Sequence, residues 1–385
     1  MKLNSKRTFI IGLAFFSICA FWQMYDNIVP LILKYRYGIS DGISGPIMAL
    51  DNVLALFMLP LFGTLSDRKG ARMPFIVVGT AGAVILTVCL SFAKTFSMFF
   101  TLLALLLVSM SIYRSPAVAL MPDVTPKPLR SKANAVINLM GAAGGIIVLI
   151  LGMVFGTGKA ENALMSYTAF FAVISGLMLG SLLIFLWKVK EPQLVREMHE
   201  ESARYGIDTE EAEDNGSGDR KLSKAERRSL LLILASVVLW FFGYNAVTSK
   251  YSVYASNILH KDYNLTLIIA QAAAIVSYLP VGFIAGKLGR KKTILAGVVM
   301  LTVAFGVAGF LTADSPTMLM NAMFALAGIA WATINVNSFP MVVEMCSGGD
   351  VGKYTGFYYT ASMAAQVATP MLSGLLMDRF GITKL

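Results

Sequence analysis

The sequence predicts an all-α polytopic membrane protein, and three observations carry that prediction. Of 385 residues, 56% are apolar and only 14% charged, with a mean hydropathy of +0.68; an ordinary soluble domain is about a quarter charged. The apolar residues form long continuous runs, the signature of spanning helices rather than of the short alternating strands of a barrel. The three cysteines are too few for a disulfide scaffold. A soluble enzyme of this length could not bury so much apolar surface, and disorder is excluded by the same composition.

A spanning helix needs roughly 20 mostly apolar residues. Eleven segments qualify: 8–33, 44–65, 74–92, 97–121, 133–155, 165–187, 230–255, 265–287, 293–312, 317–341 and 354–377. The first run, after Lys2, Lys6 and Arg7, is too long for the core of a secretory signal, and ten more spans follow. With the N-terminus inside, the inner segments hold most of the 32 Lys and Arg; the outer ones hold only Lys34, Arg36, Lys94, Lys159, Lys261, Arg379 and Lys384. This bias orients the chain N-inside, as expected for a plasma or inner membrane protein. It also accounts for the net charge of +10, since the basic residues serve topology and anionic headgroups. No soluble domain offers a basic face to nucleic acid.

Six spans precede a polar stretch and five follow it. That stretch, 188–228, is acidic in its middle (Glu197, Glu200, Glu201, Glu210, Glu211) and basic at its end (Lys224, Arg227, Arg228). It reads as a partly disordered cytoplasmic linker between an N-terminal six-helix bundle, 1–187, and a C-terminal bundle of five spans, 229–385. The halves echo each other. Gly63-Thr-Leu-Ser-Asp67-Arg68-Lys-Gly70-Ala-Arg72 follows span 2, and Gly282-Phe-Ile-Ala-Gly286-Lys287-Leu-Gly289-Arg290 follows span 8. Pro116 with Asp123 near the end of span 4 is answered by Pro340 with Glu344 near the end of span 10. Two related halves on a linker is the organisation of alternating-access transporters.

The run Gly63-x-Leu-Ser-Asp67-Arg68-x-Gly70-x-Arg72 resembles the loop signature of the major facilitator superfamily. Span 2 with Asp51, Asn52 and Pro60, and Arg114-Ser-Pro116-Ala-Val-Ala-Leu120-Met-Pro122-Asp123 followed by Arg130, resemble the sucrose/proton symporters and the broader glycoside–pentoside–hexuronide cation symporters within it. The resemblance implies the superfamily fold, two pseudo-repeated helical bundles, and a gate built on Gly63, Asp67, Arg68, Gly70, Arg72, Asp123 and Arg130. Asp67 sits at a helix end, where it can cap a neighbouring helix and pair with a basic residue. Gly286 replaces it in the second copy, so gating there should be weaker. The superfamily usually has twelve spans, and the second half here reads as one short.

Ionisable residues inside spans cost roughly 2.5–3.5 kcal/mol each, so they are functional candidates by default. They are Asp26, Asp51, Arg114 and Lys250. Asp26 and Asp51 lie about seven residues from the outer ends of adjacent spans, roughly 10 Å deep at 1.5 Å per residue. Two carboxylates sharing such a site suit proton coupling, and a sodium ion could use the same oxygens. Arg114 can pair with a carboxylate or donate to substrate hydroxyls, or it snorkels to the inner rim. Neutral polar and aromatic residues recur at helical spacing: Trp22, Gln23, Asn138, Tyr244, Asn245, Gln271, Trp331, Asn335 and Gln366. Sugars need that mixture, although amides also glue helices together.

No phosphate loop and no His-Glu-x-x-His occur, the two histidines (His199, His260) fall in polar stretches read as loops, and the cysteines are scattered. No cofactor, metal or enzymatic activity is therefore expected. The sequence reading is a monomeric secondary transporter for proton-coupled symport of a sugar or glycoside. Alternatives are a non-transporting or truncated receptor-like relative, and a sodium-coupled or efflux transporter of another small solute.

Overall fold

The structure, a computed structural model, describes residues 2–39, 41–157, 165–207, 223–254, 259, 263–345 and 350–380. The side chain of Lys250 and the linker residues 208–222 lie outside the described residues. The described residues form thirteen α-helices: α1 (Ser5–Leu31), α2 (Asp41–Met48), α3 (Leu50–Lys69), α4 (Met73–Ser91), α5 (Phe96–Asp123), α6 (Arg130–Phe155), α7 (Thr168–Lys188), α8 (Glu191–Arg204), α9 (Lys224–Tyr254), α10 (Tyr263–Leu288), α11 (Arg290–Ala308), α12 (Thr317–Val343) and α13 (Val351–Phe380).

Local signals set their ends. Asn4 caps α1 by accepting from the Arg7 backbone N–H at 3.1 Å, and Thr95 caps α5 through Met98. Gly70, at φ 64°, closes α3 in the left-handed conformation that glycine adopts without strain. Ten helices among the described residues are long and apolar enough to cross a membrane, and they coincide with the first ten predicted segments. The eleventh folds as α13, whose first half carries Lys353, Tyr354, Thr355, Tyr358, Tyr359 and Thr360 and is less apolar. The predicted segment 44–65 is broken at Ala49 into α2 and α3, with the Met48 carbonyl met by the Tyr25 hydroxyl at 3.1 Å. Large apolar side chains such as Phe57, Val78, Leu239, Val276 and Phe310 stand more than half exposed on the helix exteriors. That would be costly in water and is what a bilayer requires.

The chain divides into two compact units. The first holds Met1–Lys127, Val136–Arg220 and Cys346–Thr360; the second holds Pro128–Ala135, Lys221–Met345 and Ala361–Leu385. In the first, α4 and α5 pack together, α7 lies against α1 and α4, and α3 lies against α5. Its core gathers Phe21, Tyr25, Phe99, Met110, Tyr113, Phe170, Phe171 and Met178, all essentially inaccessible. In the second, α12 is central and packs on α10 and α11. Tyr251 packs on Phe324, ring centres 4.1 Å apart and planes tilted by 37°, in a cluster with Ala308, Leu311 and Met320.

Two prolines in mid-helix are stitched by polar side chains from another helix. A proline cannot donate to the carbonyl four residues back, and in lipid that carbonyl needs a partner. Pro60 leaves the Leu56 carbonyl free, and the Thr360 hydroxyl donates to it at 3.2 Å. Pro340 leaves the Val336 carbonyl free, and the Asn134 amide donates to it at 2.9 Å.

Candidate functional site

Three of the four intramembrane ionisable residues, Asp26, Asp51 and Arg114, lie close together in the first unit. Trp22 and Asp26 lie one turn apart on α1, on the same face. Buried Phe21 and Tyr25 anchor that stretch of α1, and Trp22 sits edge-on to them at 5.1 and 5.4 Å. Asp51 lies at the start of α3, where helix N–H groups favour an anion. Arg114 projects from α5 between two aromatic faces, 5.2 Å from the Trp22 ring centre and 5.0 Å from that of Tyr359 on α13. Such cation–π contacts hold a guanidinium without neutralising it. Arg114 is within electrostatic reach of both Asp26 and Asp51, and Asp51 is within reach of Asp26. Asp51 Oδ1, Arg114 Nε and Trp22 Nε1 are buried without a hydrogen-bond partner among the described residues. Asp26 is exposed. Pro30, one turn further along α1, has no N–H to give to the Asp26 carbonyl.

A second constellation lies at the end of α3. Asp67 caps the start of α13: Gly352 N donates to Oδ1 at 2.8 Å and Lys353 N to Oδ2 at 2.6 Å. Arg72 Nη2 pairs with Asp67 Oδ1 at 2.5 Å, and Arg72 Nε pairs with Asp123 Oδ2 at 2.8 Å. Arg72 Nη1 also donates to Ser66 Oγ at 2.5 Å, while the Ser66 hydroxyl donates to the Gly63 carbonyl at 2.8 Å. Burial opposes charge on Arg72, but the Asp123 and Asp67 carboxylates outweigh it and hold the guanidinium protonated beyond its ordinary range. Glu191, the first residue of α8, accepts from the backbone N–H groups of Arg72 at 2.6 Å and Met73 at 2.9 Å. It thereby caps α4 and fixes the backbone that presents Arg72. Gly63 and Gly352 meet backbone to backbone, and a Cβ on either would overlap the carbonyl oxygen of the other.

The second unit carries a thinner version. Arg290 pairs with Glu344 at the end of α12 and donates to Ser131 Oγ on α6 at 2.7 Å. Gly286 stands where the first copy has Asp67, and a Cβ there would lie 3.1 Å from Lys132 Cε. Glycine there has no carboxylate to match the one that Asp67 supplies in the first copy. Arg130, buried at the start of α6, lies within electrostatic reach of Arg290.

The remaining sequence candidates are dispersed. Gln23 lines a cleft of about 640 Å³ with Met24, Asn27, Thr157 and Phe170. Asn138 is half-buried on α6, and Gln271 is exposed on α10. Tyr244 and Trp331 lie 6.1 Å apart, with Tyr278 beyond Trp331. Asn245 spends its amide on the Phe241 carbonyl of its own helix, and Gln366 reaches back to Ser362. The Asn335 carbonyl accepts from Asn134 and Ser338. Arg68 is exposed beside Gly70. His199, expected in a loop, lies instead on α8, whose start the sequence marks with an acid before a proline, Glu191-Pro192. Glu191, Ser66 and Tyr359 were missed as site residues.

The family model of the Major Facilitator Superfamily matches residues 11–279 and 261–383. Among curated relatives, the MFS-type transporter ppzB of Metarhizium rileyi is 27% identical over 124 residues, 32% of this chain and 25% of that protein. The ppzB protein of Metarhizium majus is 28% identical over 110 residues, 29% of this chain and 24% of that protein. The chain thus spans about a quarter of the length of these relatives. Among solved structures, the human organic anion transporter MFSD10 superposes with a TM-score of 0.75 at 16% identity, covering 99% of this chain and 96% of that one. The proton:xylose symporter XylE, bound to 6-bromo-6-deoxy-D-glucose, gives 0.73 at 13%, covering 98% and 90%. FucP in the outward conformation gives 0.74 at 12%, covering 97% and 92%. These likenesses are of fold. With ten helices among the described residues long and apolar enough to cross a membrane and a family match along most of its length, this integral membrane protein belongs to the major facilitator superfamily.

Proposed function

We propose that the chain is a secondary active transporter that carries a sugar or glycoside together with protons by alternating access. The observation that carries the reading is the group of Asp26, Asp51, Arg114, Trp22 and Tyr359 within the spans of one unit. A buried carboxylate oxygen without a partner costs about 1–3 kcal/mol. That cost is relieved when Asp51 takes a proton or a substrate hydroxyl. Arg114, stacked rather than paired, is free to donate to substrate, and Trp22 and Tyr359 offer faces to an apolar ring side. In this reading, protonation and substrate binding together favour the occluded state. The Asp67–Arg72 contacts with α13 form the inner lock that must then break. The inner side is the side of the N-terminus, the site is the plasma or inner membrane, and the unit of function is the monomer. The two bundles are residues 1–187 and 229–385, joined by 188–228. That XylE is a proton:xylose symporter agrees with this choice of substrate, as does the span-4 resemblance to sucrose-type symporters.

The test is uptake into proteoliposomes under an inward proton gradient, with labelled sucrose, maltose and glucose, with and without an uncoupler. Uncoupler-sensitive accumulation supports the reading; uptake indifferent to the proton gradient removes proton coupling from it. A second reading, carriage of an organic anion, is favoured by the buried Arg114 Nε without a partner among the described residues and by the fold likeness to MFSD10, an organic anion transporter. A labelled aromatic carboxylate in the same assay decides between the two.

A further inference from the structure

Within the second unit, α9, α11 and α12 leave a cavity of about 160 Å³ between them. Ile233 and Val237 of α9, Ile294 and Val298 of α11, and Ile334 and Met341 of α12 form its walls. Val298 and Leu295, which also line it, are exposed on the helix exterior, so it opens toward the bilayer. From Lys291 at its mouth to Val298 the cavity follows two turns of α11, roughly 10 Å. Among the described residues α9 packs only sparsely on α12, and the space between them is left unfilled by protein. The mouth is basic. Lys291 is exposed and has no carboxylate partner among the described residues. Lys292 beside it, and Lys224, Arg227 and Arg228 at the start of α9, are exposed too. The acids at these helix ends are engaged: Glu226 accepts from the Ser223 backbone N–H at 2.8 Å, and Glu344 pairs with Arg290. Beyond Glu226, α9, α11 and α12 carry no acid.

We propose that this cavity binds an anionic phospholipid, one acyl chain entering between α9 and α11 and the headgroup phosphate meeting Lys291. The walls suit hydrocarbon. The hydroxyls that line the cavity, those of Ser236 and Ser338, donate to carbonyls of their own helices. A polyol placed there would lose its water and gain few partners in return. Burial of the acyl chain would hold any phospholipid; the lysine selects the anionic ones, because an ammonium is a point-charge partner for phosphate. The bound acyl chain supplies packing that α9 lacks and ties it to α11 and α12. The site lies within one unit and does not depend on which solute or ion the protein carries.

Trp240 lines the same cavity and reports its occupant. The protein has four tryptophans, of which Trp187 is 72% exposed and would report bulk lipid, so all measurements use the full chain with Trp187→Phe. In phosphatidylcholine nanodiscs, phosphatidylglycerol with brominated acyl chains is titrated against phosphatidylcholine brominated in the same way, and tryptophan quenching is recorded. One lysine beside an anionic headgroup is worth about fivefold in local lipid concentration. Brominated phosphatidylglycerol should therefore reach half its effect at about a fivefold lower mole fraction than brominated phosphatidylcholine. Lys291→Gln should bring the two midpoints together, Trp240→Phe should remove the difference, and Lys188→Gln, on another basic stretch at the end of α7, should leave it intact. Equal midpoints before any further substitution overturn the proposal. So does a difference that survives Lys291→Gln or Trp240→Phe, or one that Lys188→Gln abolishes as fully as Lys291→Gln, which would mark attraction to the basic surface in general. Should Trp240→Phe not yield a monodisperse protein, the comparison of the two exposed lysines decides.

Discussion

The Asp67 carboxylate spans the first free N–H groups of α13, one oxygen on Gly352 at 2.8 Å and the other on Lys353 at 2.6 Å. These residues are nearly three hundred positions apart in sequence. The contact satisfies two orphan helix donors and neutralises one side of the buried Arg72 at the same time.

Asp67→Ala should therefore be costly. It leaves two amides and a buried guanidinium short of a partner, in a pair whose side chains are only 4% and 6% exposed. Breaking such a pair costs roughly 3–5 kcal/mol, read as a lower denaturation midpoint in detergent. Asp67→Asn keeps one acceptor and should fall between Ala and wild type. An Asp67→Ala protein as stable as wild type would show that Arg72 finds its partners elsewhere.

Gly352→Ala should prevent closure rather than folding. The added Cβ meets the Gly63 carbonyl and lies 2.6 Å from Arg72 Nη1. A penalty above about 1.4 kcal/mol lowers the closed population more than tenfold. Hydrogen exchange at the start of α13 should accelerate by that factor, while the rest of the first unit keeps its protection.

Asp51→Asn and Asp26→Asn address coupling separately. If Asp51 carries the proton, Asp51→Asn should abolish uncoupler-sensitive accumulation and spare exchange at equal pH. Full proton-driven accumulation in that variant removes Asp51 from the mechanism. The same result in Asp26→Asn as well leaves the coupling proposal without a carrier.

Arg114→Lys should not rescue Arg114→Ala. The guanidinium carbon lies 5.2 and 5.0 Å from the Trp22 and Tyr359 ring centres, and a compact, strongly hydrated ammonium is a poorer partner for two rings at once. Substrate affinity, measured by quenching of tryptophan fluorescence, should drop about five- to thirtyfold in both variants, on a loss of roughly 1–2 kcal/mol. Wild-type affinity in Arg114→Lys would show that only the charge matters.

Gly286→Asp should strengthen the thinner lock. Its Cβ position lies 3.7 Å from Lys132 Nζ, so the carboxylate gains a partner worth about 0.5–1 kcal/mol. Exchange transport should slow by about two- to fivefold. An unchanged rate would mean that the second unit's contacts do not limit the cycle.

The spanning helices were readable in the sequence because each is a long apolar run, and length in lipid is set by bilayer thickness. The break at Ala49 was not, since apolarity continues across it and only the tertiary bond from Tyr25 to Met48 distinguishes the two sides. Asp67 was identifiable by its place at a helix end in a glycine-rich signature. Its partners at 352 and 353 were not, because they are backbone amides that carry no side-chain signal. The amide of Asn134 answers a carbonyl that Pro340 sets free, a relation visible only once α6 and α12 are placed together. Gln23 belongs to the set of polar residues at helical spacing; in the fold it lines a cleft with Met24, Asn27 and Phe170, neighbours that a one-dimensional spacing does not name.

The touching backbones of Gly63 and Gly352 leave this contact without a mutational detour. When a large side chain clashes, its neighbour can shrink; here each new Cβ would strike a carbonyl oxygen, which no substitution can trim. Neither position can drift first and be compensated by the other. A lineage that keeps the lock must keep both glycines, and one that loses either has no nearby route back except reversion.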